Sequence, residues 1–214
     1  SADFAGGTLS QVSTSNPMSV NDITLEGESF SDGEYISNPV WTVVAGGNFI
    51  ASGGYLRGTA ANTLIFTSST WNSGSMFFRI YLTGTDILDL DILSNTILHP
   101  YVSYPKVAIK INSQTSATTL YEHNSADVYA ALCTLPAVQS ASTWGNYKVT
   151  KTELSITLET PVGECTGTMS FSMTPKYFAF IDQVTGGLSG IDDIIGFYYQ
   201  STGTYTSKWF DTGL

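Results

Sequence analysis

The segment TDILDLDIL, residues 85–93, sets Asp89 and Asp91 two positions apart in a run of Ile and Leu. Residues i and i+2 of a strand share a face, so the two carboxylates are expected on one side and Leu88, Leu90 and Ile92 on the other. Two carboxylates flanking a glycosidic bond can divide the roles of acid and nucleophile, or acid and base. Here the next position in register is Ile87, and the segment holds no Glu. The pair is therefore read as solvent-facing acids or as cation ligands, and no catalytic residue is assigned. Tyr121 and His123 are also two apart, and His99 is the other histidine. A Tyr or His base beside Arg57, Arg79 or Lys148 is the equipment of a polysaccharide lyase, in which a cation neutralises the substrate carboxylate. Eight basic residues make a poor field for a polyuronate, so each histidine is read as solitary and exposed. No Gly-x-Ser-x-Gly elbow and no phosphate loop is present, and Gly46-Gly47, Gly53-Gly54 and Gly186-Gly187 suit turns.

Aromatic residues in polar company carry the stronger signal. Trp71 sits in TSSTWNSG and Trp144 in SASTWGNY, two stretches rich in hydroxyl and amide groups. Sugars offer C–H faces to aromatic rings and hydroxyls to the polar groups beside them. Trp71, Asn72, Trp144, Asn146 and Tyr147 are accordingly expected to form a sugar-facing surface on loops. Trp41 leads an apolar run and is expected in the core.

The elements that must position these groups follow a period of two. Met76, Phe78, Ile80 and Leu82 alternate with Phe77, Arg79 and Tyr81, and Val107, Ile109 and Ile111 with Ala108 and Lys110. Leu154, Ile156 and Leu158 repeat the pattern, as do Met169, Phe171 and Met173. Alternation of this kind predicts half-buried strands, and the Gly-, Asn- and Ser-rich clusters between them predict turns. Residues 127–135 are predicted to form one short helix. The fold class is all-β: an antiparallel β-sandwich of two sheets, a jelly roll. Phe77, Tyr81, Tyr147, Tyr198 and Tyr199 are too many rings for one core face, so some stand half exposed on the outer face of a sheet. Residues 1–21 lack core periodicity and read as a leader or partner-pairing segment. Residues 22–202 form the sandwich, and residues 203–214 a terminal strand or the start of a linker. Both ends read as joins to neighbouring domains or subunits.

Charge and composition restrict the partners. The chain has 214 residues and a net charge of −10, which disfavours nucleic acid. No apolar run approaches the roughly 20 residues that span a bilayer. Only 12% of residues are charged, about half the roughly 25% of an average soluble domain, with Gly, Ser, Thr, Asn and Tyr in their place. That palette points to an extracellular, cell-surface or virion protein. Cys133 and Cys165 fit either one disulfide or two buried thiols.

Several spacings also resemble a known family. F-S-D-G-E-Y-x-x-N-P-x-W-T-V at 30–43, G-N-F-x-x-x-x-G-Y-L at 47–56, G-S-M-F-F-R-I at 74–80 and Ile191-Asp192-Asp193-Ile194 together resemble concanavalin A-like, or laminin G-like, jelly rolls. The resemblance spans residues 28–198, with 120–145 unmatched, and the ending G-T-Y-T-S-K-W-F-D-T-G resembles a linker-strand of multidomain surface and phage tail proteins. It implies a sandwich that binds glycans without catalysis. It also implies a structural Ca²⁺ held by Glu28, Asp32 and Asp192, since calcium takes about six to eight oxygen ligands. Laminarinase-type glucanases of this fold carry Glu-x-Asp-x-Glu on one strand, a pattern that Ile87 breaks. The leading expectation is a non-catalytic carbohydrate-binding or adhesion domain. A virion or filament structural protein is the second reading and a polysaccharide lyase the third.

Overall fold

The structure is a computed structural model. It describes residues 30–36, 40–45, 49–69, 73–96, 104–124, 129–184, 189–199 and 205–207, with the backbone alone at 45, 195–199 and 205–207. Fifteen strands follow in chain order: β1 (Trp41–Ala45), β2 (Phe49–Ala51), β3 (Leu56–Gly58), β4 (Thr63–Ser68), β5 (Gly74–Leu82), β6 (Ile87–Ser94), β7 (Lys106–Asn112), β8 (Ala117–His123), β9 (Tyr129–Leu135), β10 (Thr143–Thr152), β11 (Ser155–Thr160), β12 (Gly163–Thr168), β13 (Tyr177–Asp182), β14 (Gly190–Tyr199) and β15 (Tyr205–Ser207). They make two antiparallel sheets. The seven-stranded sheet runs β1-β4-β13-β6-β7-β8-β9. The eight-stranded sheet runs β12-β11-β10-β5-β14-β3-β2, with β15 added against the far half of β14. Strand β15 thus pairs within this same sheet. Residues 1–21 lie outside the described residues.

Alternation works as expected where a strand has one wet face. On β5, Met76, Phe78, Ile80 and Leu82 are fully buried while Phe77, Arg79 and Tyr81 are half-buried on the other side. The inward rows of both sheets meet in one core, in which Trp41 packs against Phe30 and Phe178 and Phe78 stacks on Tyr147 with centroids 5.7 Å apart. On β6 nearly every residue is buried, because that strand is central and covered on both faces.

Three local expectations need correction. Residues 129–135 are strand β9 and not a helix; cross-strand pairing with β8 overrides a weak local preference. Met169 to Met173 is not a strand: the chain leaves β12 there, buries Met169 and lays Phe171 and Met173 along a cleft. Leu154 sits with Glu153 in the two-residue turn between β10 and β11, so it is exposed while Ile156 and Leu158 are buried.

The cysteines resolve to one disulfide, Cys133–Cys165, with Cα atoms 5.9 Å apart. Its strands, β9 and β12, are the edge strands of the two sheets, so the bond closes one long side of the sandwich. Gly167 allows that closeness: a Cβ there would lie 2.5 Å from the Cβ of Leu132.

Candidate functional site

The outer face of the eight-stranded sheet gathers what the sequence scattered. Register places Trp144 of β10 opposite Tyr81 of β5, and Asn146 opposite Arg79. It also places Gly190 of β14 opposite Tyr81, and Asp192 opposite Arg79. Gly190 leaves room above the strand, and Tyr55 fills it: a Cβ at Gly190 would stand 2.5 Å from the Tyr55 ring. The result is a cluster of three rings across neighbouring strands. Trp144 meets Tyr55 edge-on at 5.4 Å and Tyr81 at 5.5 Å. The guanidinium of Arg79 lies over the indole, 4.9 Å from its centroid. Trp144 keeps 39% of its surface exposed, and Asn146 beside it is exposed.

Arg79 is itself fixed. Its Nη2 donates to Asp192 Oδ2 at 2.6 Å and its Nε lies 2.7 Å from Asp193 Oδ2. Two successive residues reach one partner because β14 bulges between Asp192 and Ile195, with Asp193 in the left-handed region at φ 48°. The Ile-Asp-Asp-Ile sequence therefore builds a carboxylate fork for a guanidinium. Burial pushes the Asp192 carboxyl up, and the bond from Arg79 pulls it back.

The expected site residues fare unequally. Trp144 and Asn146 share this face, on a strand rather than a loop. Tyr147 is corrected: it is 1% exposed and stacked on Phe78, because a residue next to Asn146 on a strand must point the other way. Trp71 and Asn72 lie outside the described residues, as does Glu28. Asp32 is exposed and caps its own turn, its Oδ1 accepting the Glu34 N–H at 3.0 Å. Among the described residues no three His, Cys, Asp or Glu side chains gather as a metal group. Tyr55, Tyr81 and Arg79 were missed as site residues. The alternation of β5 already put Tyr81 and Arg79 on an outer face; only sheet register brings Tyr55 to them.

The opposite sheet carries the acids of β6, and the expectation of solvent-facing carboxylates is corrected. Asp91 is fully buried and Asp89 only 5% exposed. Tyr104 Oη donates to Asp91 Oδ2 at 2.5 Å and Lys106 Nζ to Asp91 Oδ1 at 3.0 Å, so both oxygens are occupied. Asp89 accepts from Tyr121 Oη at 3.4 Å and from the Gln183 amide. Burial pushes the Asp89 carboxyl up to about 6 against the pull of Lys110 and Lys106. Burial first, then the adjacent aspartates, push both the Tyr104 and Tyr121 hydroxyls far up, which unfits them as bases. His123 places Nδ1 3.3 Å from the Tyr104 carbonyl and is half-buried rather than solitary and exposed. His99 lies outside the described residues. Near this sheet a cleft of about 550 Å³ is lined by Asn95, Asn124, Phe171, Met173 and Lys176 among others.

No protein-family model matches the chain, and no curated protein matches it. Solved structures do. The carbohydrate-binding module CBM66 from Bacillus subtilis is 9% identical, with a TM-score of 0.55 over 72% of this chain and 92% of that one. A non-specific endo-β-1,3(4)-glucanase of family GH16 is 10% identical, with a TM-score of 0.57 over 81% of this chain and 90% of that one. The Bacillus licheniformis β-glucanase is 13% identical, with a TM-score of 0.56 over 80% and 97%. Likeness at these identities shows the fold, and the fold is the concanavalin A-like jelly roll that the sequence spacings implied.

Proposed function

We propose that the protein is a non-catalytic carbohydrate-binding domain that holds its glycan on the outer face of the eight-stranded sheet. The observation that carries this reading is the exposed indole of Trp144, braced edge-on by Tyr55 and at a tilt by Tyr81, and held under Arg79. A braced ring loses little conformational freedom on binding, so the stacking energy is not spent on ordering it. Asn146 and Asp193 stand at the rim with amide and carboxylate groups suited to sugar hydroxyls. A sandwich of the same fold serves as a carbohydrate-binding module in Bacillus subtilis.

The neighbours also include glucanases, and the burial of the β6 acids supports the non-catalytic reading over that one. Glycoside hydrolysis needs two carboxyls that reach the scissile bond. Asp91 offers no exposed surface and has spent both oxygens on Tyr104 and Lys106. The disulfide suits an oxidising, extracellular setting.

The test is titration of tryptophan fluorescence and of binding heat across a panel of neutral oligosaccharides. Wild type binds at least one, and Trp144→Ala weakens that binding at least about tenfold with an unchanged melting temperature. Phe171→Ala leaves it unchanged. Equal binding by Trp144→Ala, or loss in Phe171→Ala alone, moves the site to the cleft. Release of reducing ends by wild type and not by Asp89→Asn restores the enzyme reading.

A further inference from the structure

Between the two sheets, at the end where β5 turns into β6, the apolar core gives way to oxygen. Thr63 of β4 and Asp182 of β13 are register partners, both pointing inward and both at most 1% exposed. Gly58 of β3 faces them from the other sheet: a Cβ there would collide with Thr63 Oγ1 and lie 3.5 Å from the Asp182 Cβ. Asp86, fully buried, lies two positions before Leu88, the register partner of Asp182, and so stands diagonal to Asp182 on the same inner face. One oxygen of Asp86 accepts from Thr83 and Ser189. Its other oxygen, Oδ1, is buried with no partner, and so is Thr63 Oγ1.

Asp182 accepts one hydrogen bond, from the Val184 N–H at 3.2 Å. No lysine or arginine among the described residues pairs with either acid. Two carboxylates in a dry interior repel each other and forgo hydration, a state that proteins neutralise with a counter-charge or a proton. A hydroxyl with an unused lone pair beside them distinguishes the two remedies. A proton on Asp182 can satisfy one acceptor, whereas a cation satisfies several oxygens at once.

We propose that Asp86 Oδ1, the Asp182 carboxylate and Thr63 Oγ1 are the side-chain ligands of a buried divalent cation that ties the two sheets together. The ligands are all oxygen, which selects a hard ion. Carbonyls or waters complete its shell, and calcium tolerates such an irregular set better than magnesium does. The position is separate from Asp192, which lies on the outer face with Arg79.

The experiment strips the protein with EDTA and adds CaCl₂ at about pH 7.5, reading the melting temperature and, by mass spectrometry of the untreated protein, the bound metal. At about a hundredfold excess over Kd the melting temperature rises on the order of 5–10 °C. Asp182→Asn abolishes the rise, and Thr63→Val, a near-isosteric change that keeps the fold, weakens calcium binding about tenfold. The proposal is overturned if CaCl₂ leaves wild type unmoved and Asp182→Asn is at least as stable as wild type, since a proton then holds the site. It is equally overturned if the rise survives in Thr63→Val at full affinity and disappears in Asp192→Asn, which places the ion elsewhere.

Discussion

Asp89 shows how far one residue can depart from what its sequence neighbourhood suggests. It lies on a central strand with 5% of its surface exposed, and its carboxyl is pushed up to about 6 because burial outweighs the attraction of Lys110 and Lys106. A carboxyl with a raised folded pKa binds its proton more tightly in the native state. Its stabilising effect is therefore complete below the unfolded value, near 3.8, and is lost as pH climbs to about 6. A rise of that size corresponds to about 3 kcal/mol at most. Comparing urea midpoints of wild type and Asp89→Asn between about pH 4 and pH 6.5 should show wild type losing ground as pH rises, with a level difference above that range. A difference that stays constant with pH means that Asp89 is already ionised at pH 4. Its neighbour Asp91 behaves otherwise. Removing the Tyr104 hydroxyl in Tyr104→Phe strips one oxygen of its donor and leaves Lys106 as its single side-chain partner. That should destabilise the fold by about 1–3 kcal/mol in chemical denaturation, and a change under about 0.5 kcal/mol would show the bond to be dispensable.

At the scale of elements, the closing of the sandwich along β9 and β12 carries the clearest consequence. Those two edge strands meet over Gly167 and are joined by Cys133–Cys165, whose closure spans 32 residues. Loops of that order yield about 2–4 kcal/mol. The Cys133→Ala/Cys165→Ala protein should melt on the order of 5–15 °C lower and be insensitive to dithiothreitol, while wild type falls to the same level when reduced. Equal melting with and without reductant would make the bond ornamental. The pairing was not legible in the sequence, because nothing local brings position 133 near 165; two edges of different sheets do. The same reason explains β9, whose strand state comes from β8 and the opposite edge rather than from its own residues. By contrast β5 was legible throughout, since its alternation is uninterrupted and both of its faces do what alternation requires. β6 was legible as a strand and misleading as a surface. Period two says which residues share a face, and it is silent on whether that face is covered. Trp144 and Asn146 were legible by type, and Tyr147 was not, because a Ser-, Thr- and Gly-rich run reads as a loop, where parity has no force.

The molecule as a whole carries a charge of −10, with 18 acids against eight bases. Arg79, the cation over Trp144, is already forked by Asp192 and Asp193, and Lys148 is paired with Glu159 at 2.5 Å. A ligand approaching Trp144 therefore meets no unspent positive charge from those two side chains and does meet the surplus acid of the chain. A field of this sign repels polyanions over roughly a Debye length, about 10 Å at 0.1 M salt, and leaves neutral sugars untouched. Neutral oligosaccharides should bind with the same affinity at about 20 mM and about 500 mM NaCl. A uronate oligomer of matching linkage should bind more weakly at low salt and recover as salt rises. Calorimetric titration of the two ligands at both ionic strengths measures this directly. The reverse trend, uronate binding that is tighter at low salt, would mean that Arg79 is released from its carboxylate fork, or that Arg57 over the Tyr55 ring meets a carboxylate, and the ligand would then be an acidic glycan.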